Sequence, residues 1–336
     1  MQRLVAPALG LLALCAQVSA EAPKAAARPR GARAGVPRTS ALLPPDPSDR
    51  DLVVGEACRK GLGGNQGAVV AMDPKTGRVL ALINPLYGLL NAYQPCSVFK
   101  IVTAVAGLSE GVITPDTSLS CTKSCWSWPG HGQLNLKRAL AVSCNPFFQQ
   151  VGERVGFYKM QQYAQLLGLG APTGINLDGE SSGWFPTFVK PAGMALMSSH
   201  AEGIRTTPVQ IATLLSATLN GGVLFQPQLA SANDFVPRER WRLPEGTNLN
   251  GLAEGFMAAV NEGTASPAFD PEIVVAGKTG TCAGVGWFAS YAPADKPEIV
   301  IVTFMRHGSG HGASAVAGRI YHELYRGQSA PAASSP

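Results

Sequence analysis

Charged residues are scarce in this 336-residue chain, at 15%, and aromatic residues make up only 7%. Sustained charged heptads and a G-x-y period are both missing, which excludes coiled-coil and collagen-like architectures. No internal repeat is visible. An extended basic surface is missing too. The formal net charge is +5, but it is concentrated early. Arg3, Lys24, Arg28, Arg30, Arg33, Arg38 and Arg50 face only Glu21, Asp46 and Asp49 before residue 51, leaving the remainder nearly neutral. No nucleic-acid partner is indicated. Apolar residues, by contrast, make up 46% of the chain. That is enough buried surface to offset ordering entropy, so general disorder is excluded. The length suits one large domain or two average ones.

Residues 1–20 open with Met1-Gln2-Arg3 and then carry no charge until Glu21. Their apolar stretch, 4–16, is short for a bilayer that needs roughly 20 residues per span. Val18-Ser19-Ala20 supplies the small residues of a signal-peptidase site. Leu14 before Cys15 is too large for a lipoprotein site. A cleaved export signal is expected over 1–20, with an uncleaved anchor as the alternative, and the mature chain outside the cytoplasm. Residues 21–60 read as a linker, rich in Ala, Pro and Arg up to Pro44-Pro45-Asp46-Pro47. A similar tail closes the chain at 327–336, leaving 61–326 as the globular domain.

Within that domain, residues 66–72 and 78–83 are β-rich runs, and Asp73-Pro74-Lys75-Thr76-Gly77 between them has hairpin-turn chemistry. The pattern then turns helical, most clearly at 98–110, 146–156, 158–167 and 208–219. Strands return at 273–281, 286–291 and 298–305, and a helix follows at 313–325. The expected fold is α/β: a five-stranded antiparallel sheet flanked by helices, with a large all-helical subdomain inserted between strands 2 and 3.

Three short motifs lie in order along this frame. Ser97-Val98-Phe99-Lys100 is S-x-x-K at a helix start, which puts an amine one turn from a hydroxyl. That is the spacing a nucleophile and its base require. Ser143-Cys144-Asn145 sits at a break between helical runs, where alternate side chains can share a cleft. Lys278-Thr279-Gly280-Thr281 ends a strand, with Gly280 clearing room for a ligand backbone. Each motif also occurs elsewhere, at Ser120-Cys121-Thr122-Lys123, Ser231-Ala232-Asn233 and Lys75-Thr76-Gly77. Those copies sit in a Cys- and Trp-rich loop, a polar connection and a turn. Only the set Ser97, Ser143, Lys278 combines helix start, helix junction and strand end.

That ordered set resembles the penicillin-binding transpeptidase domain, in a superfamily shared with serine β-lactamases. The segments 68–82, Gln94-Pro95-Cys96-Ser97, 139–145, 174–180 and 202–210 are similar to that family over roughly residues 60 to 325. One departure is Cys96, which stands where the family usually has Gly. The resemblance implies acyl transfer on the D-alanyl-D-alanine end of peptidoglycan stem peptides, in the periplasm or cell envelope. It assigns Ser97 as nucleophile, Lys100 as base, Ser143 as proton relay and Asn145 as a partner of the substrate backbone. Lys278 with Thr279 and Thr281 would take the terminal carboxylate, and the N–H groups of Ser97 and Thr281 would form the oxyanion hole. Stem peptides, β-lactams as covalent inhibitors and cell-wall synthesis proteins are the implied partners. No cofactor is implied. A class D β-lactamase and a non-catalytic β-lactam sensor are the competing readings.

Bland roles compete for the remaining residues. Glu180 reads as a turn carboxylate rather than a base, and Trp126, Trp128, Trp184 and Trp287 as core or cleft wall. No metal site is expected, because neither His307 with His311 nor Cys121, Cys125 and His131 supply four ligands at a recognised spacing. A disulfide between Cys121 and Cys125 is expected from their short separation in an exported chain.

Overall fold

The structure is a computed structural model that describes residues 40–121, 125–127 and 129–326. The expected export signal, the linker up to residue 39, the C-terminal tail, Lys123 and Trp128 lie outside the described residues. In chain order the described part begins with β1 (Ala41–Leu42), α1 (Asp49–Leu62), β2 (Gly67–Met72) and β3 (Val79–Ile83). Next come α2 (Lys100–Ser109), β4 (Leu119–Cys121), β5 (Gly132–Leu134), α3 (Leu136–Ala141), α4 (Asn145–Val155) and α5 (Phe157–Leu166). The chain continues through α6 (Met194–His200), α7 (Pro208–Leu219), β6 (Val223–Phe225), β7 (Glu239–Arg242) and α8 (Leu252–Asn261). It closes with β8 (Ala276–Cys282), β9 (Val285–Ala292), β10 (Ile299–Arg306) and α9 (Gly310–Tyr325).

The main sheet runs β1-β3-β2-β10-β9-β8, and every pairing in it is antiparallel. Its centre joins the two ends of the domain, with Val302 of β10 opposite Val70 of β2. Alternate residues of those strands serve two cores. Val70, Met72, Val300, Val302 and Phe304 face the side packed by α7. Val69, Ala71, Ile299 and Ile301 face α1 and α9. Both faces are covered, which is why β2 reads Gly-Ala-Val-Val-Ala-Met without polar alternation. Each such fully buried Val or Ile contributes about 1.5–3 kcal/mol over exposure.

Three expectations are corrected. The sheet has six strands rather than five, because two-residue β1 pairs with β3 at the edge. The linker expected over 21–60 does not extend through residues 41–60, which hold β1 and most of α1. A Ser48/Asp51 capping box starts α1, and the buried Asp51 carboxylate accepts two bonds from the Arg78 guanidinium. Composition up to residue 50 hides this, because the anchoring partner lies in the next hairpin. The segment between β3 and β8 is not all helical: β4 pairs with β5 and β6 with β7 in small two-stranded sheets. Among the described residues, no helix is long and apolar enough to cross a membrane.

Candidate active site

The nucleophile motif begins on a 3-10 turn, Cys96–Phe99, that runs directly into α2. One turn separates Ser97 from Lys100, and Lys100 Nζ lies 3.0 Å from Ser97 Oγ. The α3–α4 junction supplies the second motif. Ser143 there takes φ +53°, a left-handed conformation that is costly for a residue with a side chain and recurs at functional sites. It brings the Ser143 hydroxyl within 3.1 Å and its carbonyl within 2.7 Å of Lys100 Nζ. Asn145 opens α4 and places Oδ1 2.6 Å from the same nitrogen. From edge strand β8, Lys278 Nζ donates to Ser143 Oγ at 2.8 Å and to the Thr279 carbonyl at 2.9 Å. Ser97, Lys100, Ser143, Asn145 and Lys278 thus form one connected network.

Both lysines are fully buried. Burial pulls the Lys100 amine from 10.5 down to about 7, against a smaller opposing effect of the Cys144, Cys125 and Cys121 thiols. Lys278 is also held well below its ordinary value, first by burial and then by the neighbouring charge of Lys100. A neutral amine beside a hydroxyl is the state in which Lys100 accepts a proton from Ser97.

A cleft of about 510 Å³ opens over this network, lined in part by Ser97, Ser143, Asn145, Thr279 and Thr281. Thr279 Oγ1 lies 2.6 Å from Thr264 Oγ1, and Thr281 Oγ1 accepts from the Gly310 N–H at 2.7 Å. Gly280 serves a different purpose from the expected ligand clearance. A Cβ on it would stand 2.7 Å from the Pro95 carbonyl oxygen, so its missing side chain lets β8 press against the nucleophile turn.

Trp126, His200, Thr264, Ser309 and His311 also line the cleft. Of these, His200 has the most specific surroundings. Ser199 Oγ donates to the Ala195 carbonyl at 2.6 Å, so the His200 Nδ1–H donates to Ser199 Oγ at 2.7 Å. Nε2 is then free to accept from the Asn145 amide at 3.2 Å, which turns Asn145 Oδ1 towards Lys100. Burial, followed by the charge of Lys100, lowers the His200 pKa and favours this neutral form. A lone histidine in sequence carries no signal of such a role. The duplicate motifs stay outside: Ser120 lies in β4, Lys75 in the hairpin turn and Ser231 in a connection. Glu180 accepts from the Thr173 and Gly174 backbone amides, as a turn carboxylate does. Trp287 is core and Trp126 is cleft wall, its indole N–H donating to the Val142 carbonyl at 3.0 Å.

The cysteines depart from expectation twice. Cys121 and Cys125 are free thiols, and the disulfide instead joins Cys96 to Cys282. The missing fourth ligand also appears, because the fold brings Cys144 to the other three. Ligand atoms of Cys121, Cys125, His131 and Cys144 all lie within 4.8 Å of one another. His131 Nδ1 is 3.3 Å from Cys121 Sγ and 3.4 Å from Cys125 Sγ. Tetrahedral ligands at Zn–S and Zn–N distances of 2.0–2.3 Å stand about 3.5–3.8 Å apart, so this Cys₃His set fits Zn²⁺. Burial raises the Cys144 thiol, and a bound cation would reverse that by taking the thiolate.

The family model for the penicillin binding protein transpeptidase domain matches residues 67–326. The chain is 28% identical over 335 residues to the peptidoglycan D,D-transpeptidase MrdA of Acinetobacter baumannii, covering 76% of this chain and 49% of that protein. It is 29% identical over 292 residues to stage V sporulation protein D of Bacillus subtilis, covering 72% and 45%. The chain therefore spans about half the length of the relatives it matches. Its fold matches Pseudomonas aeruginosa PBP2 with a TM-score of 0.73 at 23% identity, covering 81% of this chain and 75% of that one. The fold of Helicobacter pylori PBP2, solved in complex with MreC, matches with a TM-score of 0.73 at 20% identity, covering 81% and 62%. By sequence match and by fold, the chain belongs to the penicillin-binding protein transpeptidase domain family.

Proposed function

We propose that this domain is a serine D,D-transpeptidase, or D,D-carboxypeptidase, acting on the D-alanyl-D-alanine ends of peptidoglycan stem peptides. The observation that carries the reading is Lys100 Nζ, buried and held within 3.1 Å of both Ser97 Oγ and Ser143 Oγ at the floor of the cleft. Neutral Lys100 takes the Ser97 proton as Oγ attacks the carbonyl carbon between the two alanines. The oxyanion so formed accepts from the N–H groups of Ser97 and Thr281. Collapse breaks the C–N bond, and Ser143 passes a proton to the departing D-alanine amine while Lys100 returns one to Ser143. The product is an acyl ester on Ser97, which an acceptor amine or water resolves.

Asn145 bonds the substrate backbone, and Lys278 with Thr279 and Thr281 receives the terminal carboxylate, whose charge favours the Lys278 ammonium. Zn²⁺ on the Cys₃His set would be structural. Four protein ligands leave no open position for a reacting group. Residues 84–275 act as the largely helical subdomain that brings the second motif to the sheet edge. Cell-wall synthesis proteins are the proposed partners and the cell envelope the proposed location; the Helicobacter pylori relative in complex with MreC supports the first.

A fluorescent penicillin tests the reading. Wild-type protein and Ser120→Ala should hold the label for minutes or longer, Ser97→Ala should not label, and a stem-peptide mimic should release D-alanine. Rapid multiple-turnover hydrolysis of penicillin, lost in Ser97→Ala, would identify a class D-like β-lactamase instead. Stable labelling without D-alanine release would point to a sensor.

A further inference from the structure

The disulfide between Cys96 and Cys282 bonds the residue before Ser97 to the residue after Thr281, with Cα atoms 5.7 Å apart. We propose that this bond is a positioning device for the oxyanion hole, holding the Ser97 and Thr281 N–H groups at their working separation. The inference rests on the nucleophile and oxyanion assignments above, and adds to them a residue pair outside the three motifs.

Three features of the fold support it. Cys96 takes φ +54°, a left-handed conformation that glycine adopts freely and other residues resist. A residue with a side chain at that point acts against the turn unless something compensates, and the bond to Cys282 does. Next, β8 is the edge of the sheet, so strand pairing holds it only to β9. On the face it shares with Trp287, β8 abuts the nucleophile turn at Gly280, through packing against Pro95 and Val98. Packing weakens steeply once the surfaces part by about 1 Å, whereas a covalent bond fixes the separation. Finally, Cys282 is the last paired residue of β8, opposite Val285, with Ala283 at φ +40° and Gly284 at φ +75° turning the chain. Strand ends at hairpin tips fray first. Thr281 is one residue inside this tip, and the bond pins it.

Cys282 is partly exposed, so a reductant reaches the bond. Tris(2-carboxyethyl)phosphine delivers two electrons; with two protons the disulfide becomes two thiols, and the phosphine becomes its oxide with oxygen from water. The cost of losing the bond should fall on the transition state, because the oxyanion forms only there.

The test separates binding from acylation by stopped-flow with a fluorescent penicillin, giving Kd for the non-covalent complex and a first-order acylation constant. The proteins are oxidised wild type, wild type reduced with the phosphine, Cys282→Ser, Cys96→Gly/Cys282→Ser and Cys96→Ser/Cys282→Ser. Reduction and Cys282→Ser should each slow acylation by about tenfold to 10²-fold while Kd stays within about threefold. Reoxidation should restore the reduced wild type. Cys96→Gly/Cys282→Ser should recover much of the rate, because glycine accepts the left-handed turn without a cross-link, and Cys96→Ser/Cys282→Ser should not.

Acylation within twofold of wild type after reduction would overturn the proposal. So would a loss confined to Kd, or equal losses in the Gly and Ser double variants. Should Cys282→Ser fail to fold, reduction of the already folded wild type still decides. A Ser97→Ala protein that keeps the label would instead overturn the nucleophile assignment beneath the inference.

Discussion

Lys278 Nζ lies 2.8 Å from Ser143 Oγ, and this contact ties edge strand β8 to the junction between α3 and α4. The same hydroxyl is 3.1 Å from Lys100 Nζ, so one oxygen stands between two fully buried amines. Two ammonium groups that close in a dry site repel, and in the proposed mechanism this hydroxyl carries the proton from Lys100 to the leaving amine. Ser143→Ala should therefore slow acylation by about 10²–10⁴-fold, the usual worth of a positioned acid or base. Stopped-flow acylation alongside thermal melting checks this. A rate within threefold of wild type would remove Ser143 from the proton path.

Lys100 also sets a pH dependence. Its ammonium form has no lone pair, so only the fraction deprotonated can accept from Ser97. Burial brings that transition to about 7. Acylation per unit of penicillin should rise about tenfold per pH unit below the transition and level off above it, which is general-base behaviour. A profile measured between pH 5 and 9 should have its ascending limb near neutrality. An ascending limb near 10 would mean that burial does not tune this amine.

Metal removal should act on the second motif. Cys144 lies between Ser143 and Asn145, so a cation held by Cys121, Cys125, His131 and Cys144 anchors both through the backbone. Purified protein should contain about one zinc per chain, and Cys125→Ala should lose most of it. Chelation should lower the melting temperature and slow acylation together. Acid should release the metal, because protons compete for thiolates and imidazole. Zinc-free protein with an unchanged melting temperature would refute a structural ion.

The motifs were legible because the chemistry constrains short-range spacing: three residues put Lys100 one turn from Ser97, and a helix junction turns Ser143 and Asn145 inward. The central strands were legible for a similar reason, as apolar runs bounded by turns. Contacts that depend on tertiary proximity were not. Cys96 and Cys282 pair across a separation of 186 residues, and nothing local distinguishes them from Cys121 and Cys125. Cys121, Cys125 and His131 read as an incomplete ligand set because the fourth member belongs to a catalytic motif. β1 is two residues long and has no periodicity to detect. His200 acts through a chain of hydrogen bonds from Ala195 to Asn145 that only the fold of α6 against α4 creates.

Gly280 gives the sharpest test of how closely strand and nucleophile turn must approach. A Cβ there would stand 2.7 Å from the Pro95 carbonyl oxygen and 3.2 Å from the Val98 backbone nitrogen. Both are backbone atoms of the turn carrying Ser97, so no side-chain rotation relieves the contact. Gly280→Ala must push β8 and the turn apart by several tenths of an ångström. A shift near 1 Å in a catalytic group costs on the order of 10²-fold in rate. Acylation should fall by about tenfold to 10²-fold. Overall stability should change less, because local overpacking costs about 1–3 kcal/mol and meets only Val98 among the core side chains. Melting temperature and acylation rate measured on the same preparation separate the two effects. A variant that acylates like wild type would show that the turn has slack, and that the oxyanion hole tolerates it.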